Sequence, residues 1–362
     1  MRICYIGDGQ SVHNHFMIDW FRKRGHNLLF LTDTPEYSPH CEVREVVKRH
    51  GGGPLRHLIA GWRVRSMIHQ WQPDIVHAHN ITGYGYWGGM SGFSPLVMTA
   101  WGSDLLVFAK NSLLVRKMAQ FSMRRADLIT ADANDLCDTA ARLAGNKADV
   151  RLLQWGVDLD EFDKELTESV RDNYRDGKEI VFLSTRRLRP IYNIDVIIKA
   201  YAAIRNKIPP SRLIIVGEDF LSEQLKNLCQ DLKIEQHTHF TGWVERDDYV
   251  NIMKSADIFI SIPTSDSTAL SLLEAFAARS AVITGDLKAN KEWITDNQNG
   301  LLVEPQNVDA LADAMVDAAS DPERINQWGE FNRIMVEERG ERQKEMLRLE
   351  RMYEELLCKK KT

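Results

Sequence analysis

Short apolar runs of strand length alternate with amphipathic stretches of helix length along almost all of the 362-residue chain. That alternation constrains the fold more than any single motif does, because strand–helix–strand units pair their strands in parallel and cover both sheet faces with helices. In the first half the expected strands are Arg2–Ile6, Asn27–Thr32, Ile75–Ala78, Leu96–Thr99, Leu128–Ala131 and Val150–Leu153. In the second half they are Ile180–Ser184, Arg212–Val216, His239–Thr241, Ile258–Ile262, Ala281–Thr284 and Gly300–Val303. The pattern occurs twice, and the chain is too long for one ordinary core. The expectation is therefore α/β, with two doubly wound Rossmann-like domains at 1–160 and 179–340. An acidic, polar linker spans 161–178, and 341–362 form a long charged helix returning toward the first domain. Gly51-Gly52-Gly53-Pro54 reads as a flexible loop. Ligands of doubly wound sheets bind at the carboxyl ends of the strands, so the natural site is a cleft between the two domains.

Composition removes several function classes. The apolar runs fall far short of the roughly 20 residues that a membrane span needs. The start, MRICYIGDG, has no long apolar stretch behind a basic flank and does not read as a signal peptide. Five scattered cysteines without CxxC spacing argue for a reducing cytoplasm, and against a structural zinc or a disulfide framework. A net charge of −5 and the lack of a recognition motif argue against nucleic acid. Two segments are locally basic. Residues 44–72 hold Arg44, Lys48, Arg49, Arg56, Arg63 and Arg65 against Glu45 alone. Residues 110–125 hold five bases and no acid, interleaved with Leu113, Leu114, Val115, Met118, Phe121 and Met123. Such segments suit peripheral contact with an anionic membrane, or else a solvated helix face packed on a sheet.

The chemistry-bearing stretch is Asp266-Ser-Thr-Ala-Leu-Ser-Leu-Leu-Glu274, two acids separated by seven residues. It follows an expected strand and overlaps a helix expected over about 268–278, so the unpaired amides of a helix start lie between two carboxylates. Helix amides bind phosphate and carboxylates bind hydroxyls, which matches a molecule carrying both sugars and a diphosphate. The plain alternative is a solvated acid on a helix. Near the amino terminus, Gly7-Asp8-Gly9-Gln10-Ser11-Val12 with Asp33 approaches a dinucleotide fingerprint. Its third glycine is missing, and Val12 stands where helix and strand should approach closely. His77 and His79 alternate on a strand and face the same side, but a third metal ligand is not evident. Trp155, Trp243 and Trp293 could stack on bases or sugars; core packing suits at least two of them.

Taken in order, further pieces carry a resemblance. Gly25-His26 precedes the second strand. Pro73-Asp74-Ile75-Val76-His77-Ala78-His79 is similar to "PDIVHxH", and Trp101-Gly102-Ser103-Asp104 to "HGxD". Gly156-Val157-Asp158 with Phe162 is similar to "GVD…F", Arg187-Leu188 to "GRL", and Asp266–Glu274 to "E-x7-E". Together they resemble the retaining glycosyltransferases of family 4, which have the GT-B architecture. The resemblance implies transfer of a hexose-type sugar from a nucleotide diphosphate sugar to an acceptor hydroxyl with retention, in polysaccharide or glycolipid assembly. It implies that Glu274 binds the ribose, Asp266 the donor sugar, and the amides at Thr268, Ala269 and Leu270, with Gly7, the diphosphate. Arg187 would neutralise the leaving group, and His79, Asp104 and His13 would face a carbohydrate or lipid-linked acceptor. No metal or other cofactor is implied. Two departures stand out: Tyr192 where the family has Lys five residues after the Arg, and Asp266 where it has Glu. Alternatives are a GT-B sugar-nucleotide epimerase, a non-catalytic sugar-nucleotide binder, and an NAD-dependent oxidoreductase using the amino-terminal glycine loop.

Overall fold

The computed structural model describes residues 1–35, 41–48, 55–145, 148–165 and 179–361. The chain forms two compact units, one of Met1–Trp155 together with the stretch from Lys344 onward, the other Gly156–Gln343. The expected Gly51–Pro54 loop, and residues 166–178 of the expected linker, lie outside the described residues.

The first unit is built on β1 (Arg2–Ile6), β2 (Asn27–Thr32), β3 (Glu42–Glu45), β4 (Ile75–His79), β5 (Leu96–Thr99), β6 (Leu128–Ala131) and β7 (Val150–Leu152). Their order is β3-β2-β1-β4-β5-β6-β7 and every pair is parallel. The central strands are buried on both faces because helices cover both, as a parallel sheet requires. Strand β3 has no counterpart among the expected strands: Glu-Val-Arg-Glu has one apolar residue, and it pairs only along the sheet edge with β2.

The second unit contains β8 (Ile180–Ser184), β9 (Ser211–Val216), β10 (Thr238–Gly242), β11 (Ile258–Ser261), β12 (Ala281–Gly285) and β13 (Leu301–Val303). Their order is β10-β9-β8-β11-β12-β13, again wholly parallel. Both sheets reverse their winding once, between β1 and β4 and between β8 and β11. Crevices at the carboxyl ends of such strand pairs are where doubly wound sheets take ligands. Arg186 follows β8 and Asp266 follows β11, so the second sheet's switch point carries both.

The units divide a few residues from positions 160 and 340, and packing explains why. Val157 and Phe162 are buried in the second unit's core, and the short helix Leu159–Asp163 occupies the start of the expected linker. The helix Arg342–Lys361 buries Met346, Leu349, Met352, Tyr353 and Leu356 against Ile3, Tyr5, Phe21 and Phe30 of the first unit. Those five positions share a face at helical spacing. Beside the exit from the first unit, the Val157 amide donates to the Gly340 carbonyl (2.8 Å) and the Arg342 amide to the Val157 carbonyl (2.9 Å). Gly156 sits at φ +71°, and a Cβ there would lie 2.5 Å from the Arg342 Cα. Left-handed backbone and backbone contact together leave no room for a side chain. Gly156→Ala is expected to cost on the order of 3 kcal/mol and to lower the melting temperature by several degrees, read by calorimetry.

Candidate active site

At the second unit's switch point the Arg186 guanidinium is the central group. It donates to Asp266 Oδ2 (2.5 Å) and to Ser271 Oγ (3.0 Å), and it lies 4.4 Å from the Tyr192 ring centroid. The helix Leu270–Ala277 begins two residues later than expected, with Ala269 as its extended N-cap residue. The Leu272 and Leu273 amides both donate to the Ala269 carbonyl, so the first-turn amides with no acceptor inside the helix are those of Leu270 and Ser271. Thr268 is buried before the cap, its hydroxyl accepting from Trp293 Nε1 at 3.2 Å. Burial pushes the Asp266 carboxyl above the usual range, against the opposing pull of Arg186.

Glu274 stands one turn into this helix and is only 3% exposed. Arg246 Nη1 donates to its Oε1 and the Tyr249 hydroxyl to its Oε2, each at 2.6 Å. One donor on each oxygen leaves lone pairs on both for further hydroxyls. Arg246 also donates to Glu161 at 2.5 Å, and the Tyr249 hydroxyl lies 3.2 Å from that of Thr185. Burial, followed by the Glu274 charge, holds the Tyr249 phenol protonated well above its ordinary range. Arg187 points away from this cluster. Its side chain is 64% exposed, and it shares the Asp219 carboxylate with Arg189.

In the first unit, His77 is a core residue, its two ring nitrogens bonded to the Tyr353 hydroxyl (2.5 Å) and to Thr99 Oγ1 (2.7 Å). His79, 4.4 Å from it between ring centroids, is equally buried, yet both its ring nitrogens lack a hydrogen-bond partner. Burial, then the neighbouring His13, lower its pKa to about 3, so it is neutral near pH 7. His13 lies 4.6 Å from Trp155 and 5.7 Å from Trp101, whose Nε1 is also buried without a partner. Asp104 is fully buried, and its carboxylate accepts from the amides of Ile81 (2.8 Å), Trp101 (3.1 Å) and Leu105 (3.0 Å). It thus ties the loop after β4 to the loop after β5. Gly7 is packed under the Asn14 side chain, which a Cβ would meet at 2.5 Å, and its amide donates to Leu31.

The dinucleotide-like loop is otherwise engaged. The Gly9 amide donates to Thr34 Oγ1 at 2.8 Å, Val12 faces outward, and Asp33 accepts from Arg56 and from the Tyr84 hydroxyl. Of the three tryptophans, Trp293 is buried in the second core, Trp155 packs against the first, and Trp243 is exposed. Among the described residues, no three His, Cys, Asp or Glu side chains are grouped to hold a metal ion, and no helix is long and apolar enough to cross a membrane.

The first unit also carries an open pocket of about 770 Å³ lined by Leu58, Tyr86, Phe108, Leu114, Val115 and Met118 among others. Of its lining, Leu58, Phe108 and Leu114 are exposed; Leu58 belongs to an exposed stripe at helical spacing with Leu55, Ile59 and Trp62, and Leu113 is exposed as well. The basic segments 44–72 and 110–125 thereby contribute to one apolar surface.

Comparison with known proteins shows the family and the fold. The pattern described as "Glycosyl transferases group 1" matches residues 167–335, and "Glycosyl transferase 4-like" matches residues 2–133. The chain belongs to the family 4 glycosyltransferases and has the GT-B architecture. It is 29% identical over 220 residues to a GDP-mannose-dependent alpha-(1-6)-phosphatidylinositol monomannoside mannosyltransferase of Mycobacterium tuberculosis, a match covering 58% of this chain and 57% of that one. It is 22% identical to the N-acetyl-alpha-D-glucosaminyl L-malate synthase of Bacillus anthracis, over 92% of this chain and 91% of that one. Among solved structures it shares its fold with a sucrose-phosphate synthase from Thermosynechococcus elongatus (TM-score 0.84, 17% identity, 99% of both chains). Anabaena HepE, solved with UDP, is similar in fold at TM-score 0.81 and 18% identity, over 98% of this chain and 100% of that one.

Seen as a family 4 glycosyltransferase, the chain brings Asp266, Leu270 and Glu274 together on one helix start, and leaves Arg187 on the surface beside Asp219. Sequence reasoning missed Arg246, Tyr249 and Ser271. Arg246 and Tyr249 are three apart on one helix face, but nothing in the sequence pairs that face with Glu274. Asp104 offers a direct test of the first unit's electrostatics. Burial raises its pKa to about 6, against the backbone amides that favour its charge. Its folded value therefore exceeds its unfolded one, so its contribution to stability is present below pH ~4 and is lost as pH rises through ~6. Unfolding free energies of the wild type and Asp104→Asn, compared across that window, are expected to diverge by on the order of 2–3 kcal/mol, with the wild type losing.

Proposed function

We propose that the protein transfers a hexose-type sugar from a nucleotide diphosphate sugar to an acceptor hydroxyl with retention of the anomeric configuration. The observation that carries this reading is one helix start flanked by the buried Glu274 and the partly buried Asp266, with two amides that have no acceptor inside the helix and the Arg186 guanidinium between them. Glu274 takes the ribose hydroxyls on its remaining lone pairs, Asp266 takes hydroxyls of the donor sugar, and the amides from Thr268 to Ser271 take the diphosphate. The second unit is the donor side and the first is the acceptor side, with His79, His13 and Trp101 near the acceptor. Asp104 serves there by fixing the two loops it bonds.

The reaction breaks the bond from the anomeric carbon to the β-phosphate oxygen and forms one to the acceptor oxygen on the same face. The acceptor proton passes to the departing phosphate oxygen, so no protein base is needed. Fixed donors at the helix start stabilise the negative charge that grows on the diphosphate. Neutral His79, with two unpartnered ring nitrogens, can hold a sugar or acceptor hydroxyl without competing for the proton. The donor test uses UDP, GDP and ADP in calorimetric titrations. Glu274→Gln is expected to weaken the best of them about 10- to 100-fold. Asp266→Asn is expected to keep that affinity and lose most turnover of the matching sugar nucleotide. Normal binding and turnover in both variants would remove the site assignment.

The exposed apolar stripe and its pocket favour a lipid-borne acceptor at an anionic, cytoplasmic membrane face. Exposed Leu58, Phe108 and Leu114 lining one pocket, further exposed apolar side chains beside them in sequence, and Lys110, Arg116 and Lys117 nearby in sequence suit a peripheral membrane contact. The mycobacterial relative, whose name contains phosphatidylinositol monomannoside, points the same way. Cosedimentation with phosphatidylcholine vesicles containing phosphatidylglycerol is expected for the wild type, and its loss in Leu113→Glu/Leu114→Glu. Equal cosedimentation of wild type and variant would rule out this surface.

A further inference from the structure

The family's pattern places a glycine before the Arg-Leu pair and a lysine five residues after the Arg; this chain has Arg186 and Tyr192 there. One cation is lost and another gained, and the structure puts the two changes in contact. The Arg186 guanidinium lies 4.4 Å from the centroid of the Tyr192 ring. Tyr192 belongs to the short 3-10 turn Pro190–Tyr192, closed by Asn193 in the left-handed conformation at φ 53°. Asn193 Nδ2 anchors that turn to the Ile262 carbonyl at 2.7 Å, on the loop leading to Asp266. A lysine at 192 would set a second positive charge against Arg186, whereas an aromatic face attracts it.

We infer that Arg186, oriented by the Tyr192 ring, is the cation that binds the donor diphosphate, in place of the missing lysine; this deepens the transferase reading and rests on it. Three contacts aim the guanidinium. Tyr192 backs one face, Ser271 Oγ in the first helical turn accepts from Nη1, and Asp266 accepts from Nη2. The group is therefore held at the amide-lined helix start, with two of its five N–H donors used by those bonds. Arg187 and Arg189 are far more exposed and share Asp219. When a diphosphate enters, Arg186 exchanges the single carboxylate for a more highly charged partner, and a guanidinium can bridge two of its oxygens. The same exchange releases Asp266 to accept hydroxyls of the donor sugar. Tyr192 is a positioning residue, acting through Arg186.

The test takes whichever of UDP, GDP and ADP binds the wild type most tightly, and titrates it alongside the nucleoside of the same base. Arg186→Gln is expected to weaken the diphosphate about 10- to 100-fold and to leave the nucleoside unchanged. Tyr192→Ala is expected to weaken it about 3- to 30-fold, and Tyr192→Phe, which keeps the ring face, to restore most of that loss. Because Arg186→Gln strips Asp266 of its partner, Arg186→Gln/Asp266→Asn read against Asp266→Asn alone gives the same comparison without an unpaired charge. Diphosphate affinity within about twofold of the wild type in the Arg186 variants, or a loss carried by Arg187→Gln alone, would overturn the assignment. Failure of the wild type to bind any of the three nucleotides would instead bring down the transferase reading, and this inference with it.

Discussion

Both sheets are wholly parallel, and most other features of this protein follow from that. A parallel pair cannot be closed by a hairpin, so each strand must be followed by a crossover, and the crossovers supply the helices that bury both faces. All strands of one sheet then end at the same edge. Residues distant in sequence, such as Arg186 after β8 and Asp266 after β11, meet there because their strands are neighbours. The switch points between β1 and β4 and between β8 and β11 open that edge, and each holds one group of candidate residues.

Inside the second unit's group, the cost of removing charge from water decides the arrangement. A lone buried carboxylate or guanidinium is too costly to keep ionised, so Glu274 is matched by Arg246 and Tyr249, and Asp266 by Arg186. The first unit meets the same demand differently. Asp104 receives three amides in place of a cation, and His79 sheds its proton. One site is thus rich in paired charge and suits a charged ligand, while the other is nearly uncharged and bordered by aromatic rings and apolar surface.

Much of this was legible in the sequence because apolar strands are short, regular and flanked by turns. Runs such as Ile258-Phe259-Ile260 announce buried parallel strands, and the observed ends differ from the expected ones by a residue or so. Glu42–Glu45 escaped because an edge strand need not be apolar. Glu274 and Asp266 were legible from spacing and resemblance. Arg246 and Tyr249 were not, since a helix face carries no sign of which carboxylate it will meet. Arg187 matched the family's short Arg-Leu motif, yet Arg186 faces Asp266, because the side chains of adjacent residues leave the backbone in different directions. The Tyr192 departure was visible in the sequence, but its partner emerged only from three-dimensional contact.

The helix Arg342–Lys361 has a consequence for how the protein is made. Leu349, Tyr353 and Leu356 fill the core beside Ile3, Tyr5 and Phe21, so the first unit needs a helix that follows the whole second unit in sequence. The second unit is contiguous and has all its strands before that helix emerges from the ribosome. Until that helix emerges, Met17, Ile18 and Phe21 of the helix Val12–Lys23 cover only part of the sheet face it packs on, and the remaining apolar surface stays open while the later unit can complete its own core.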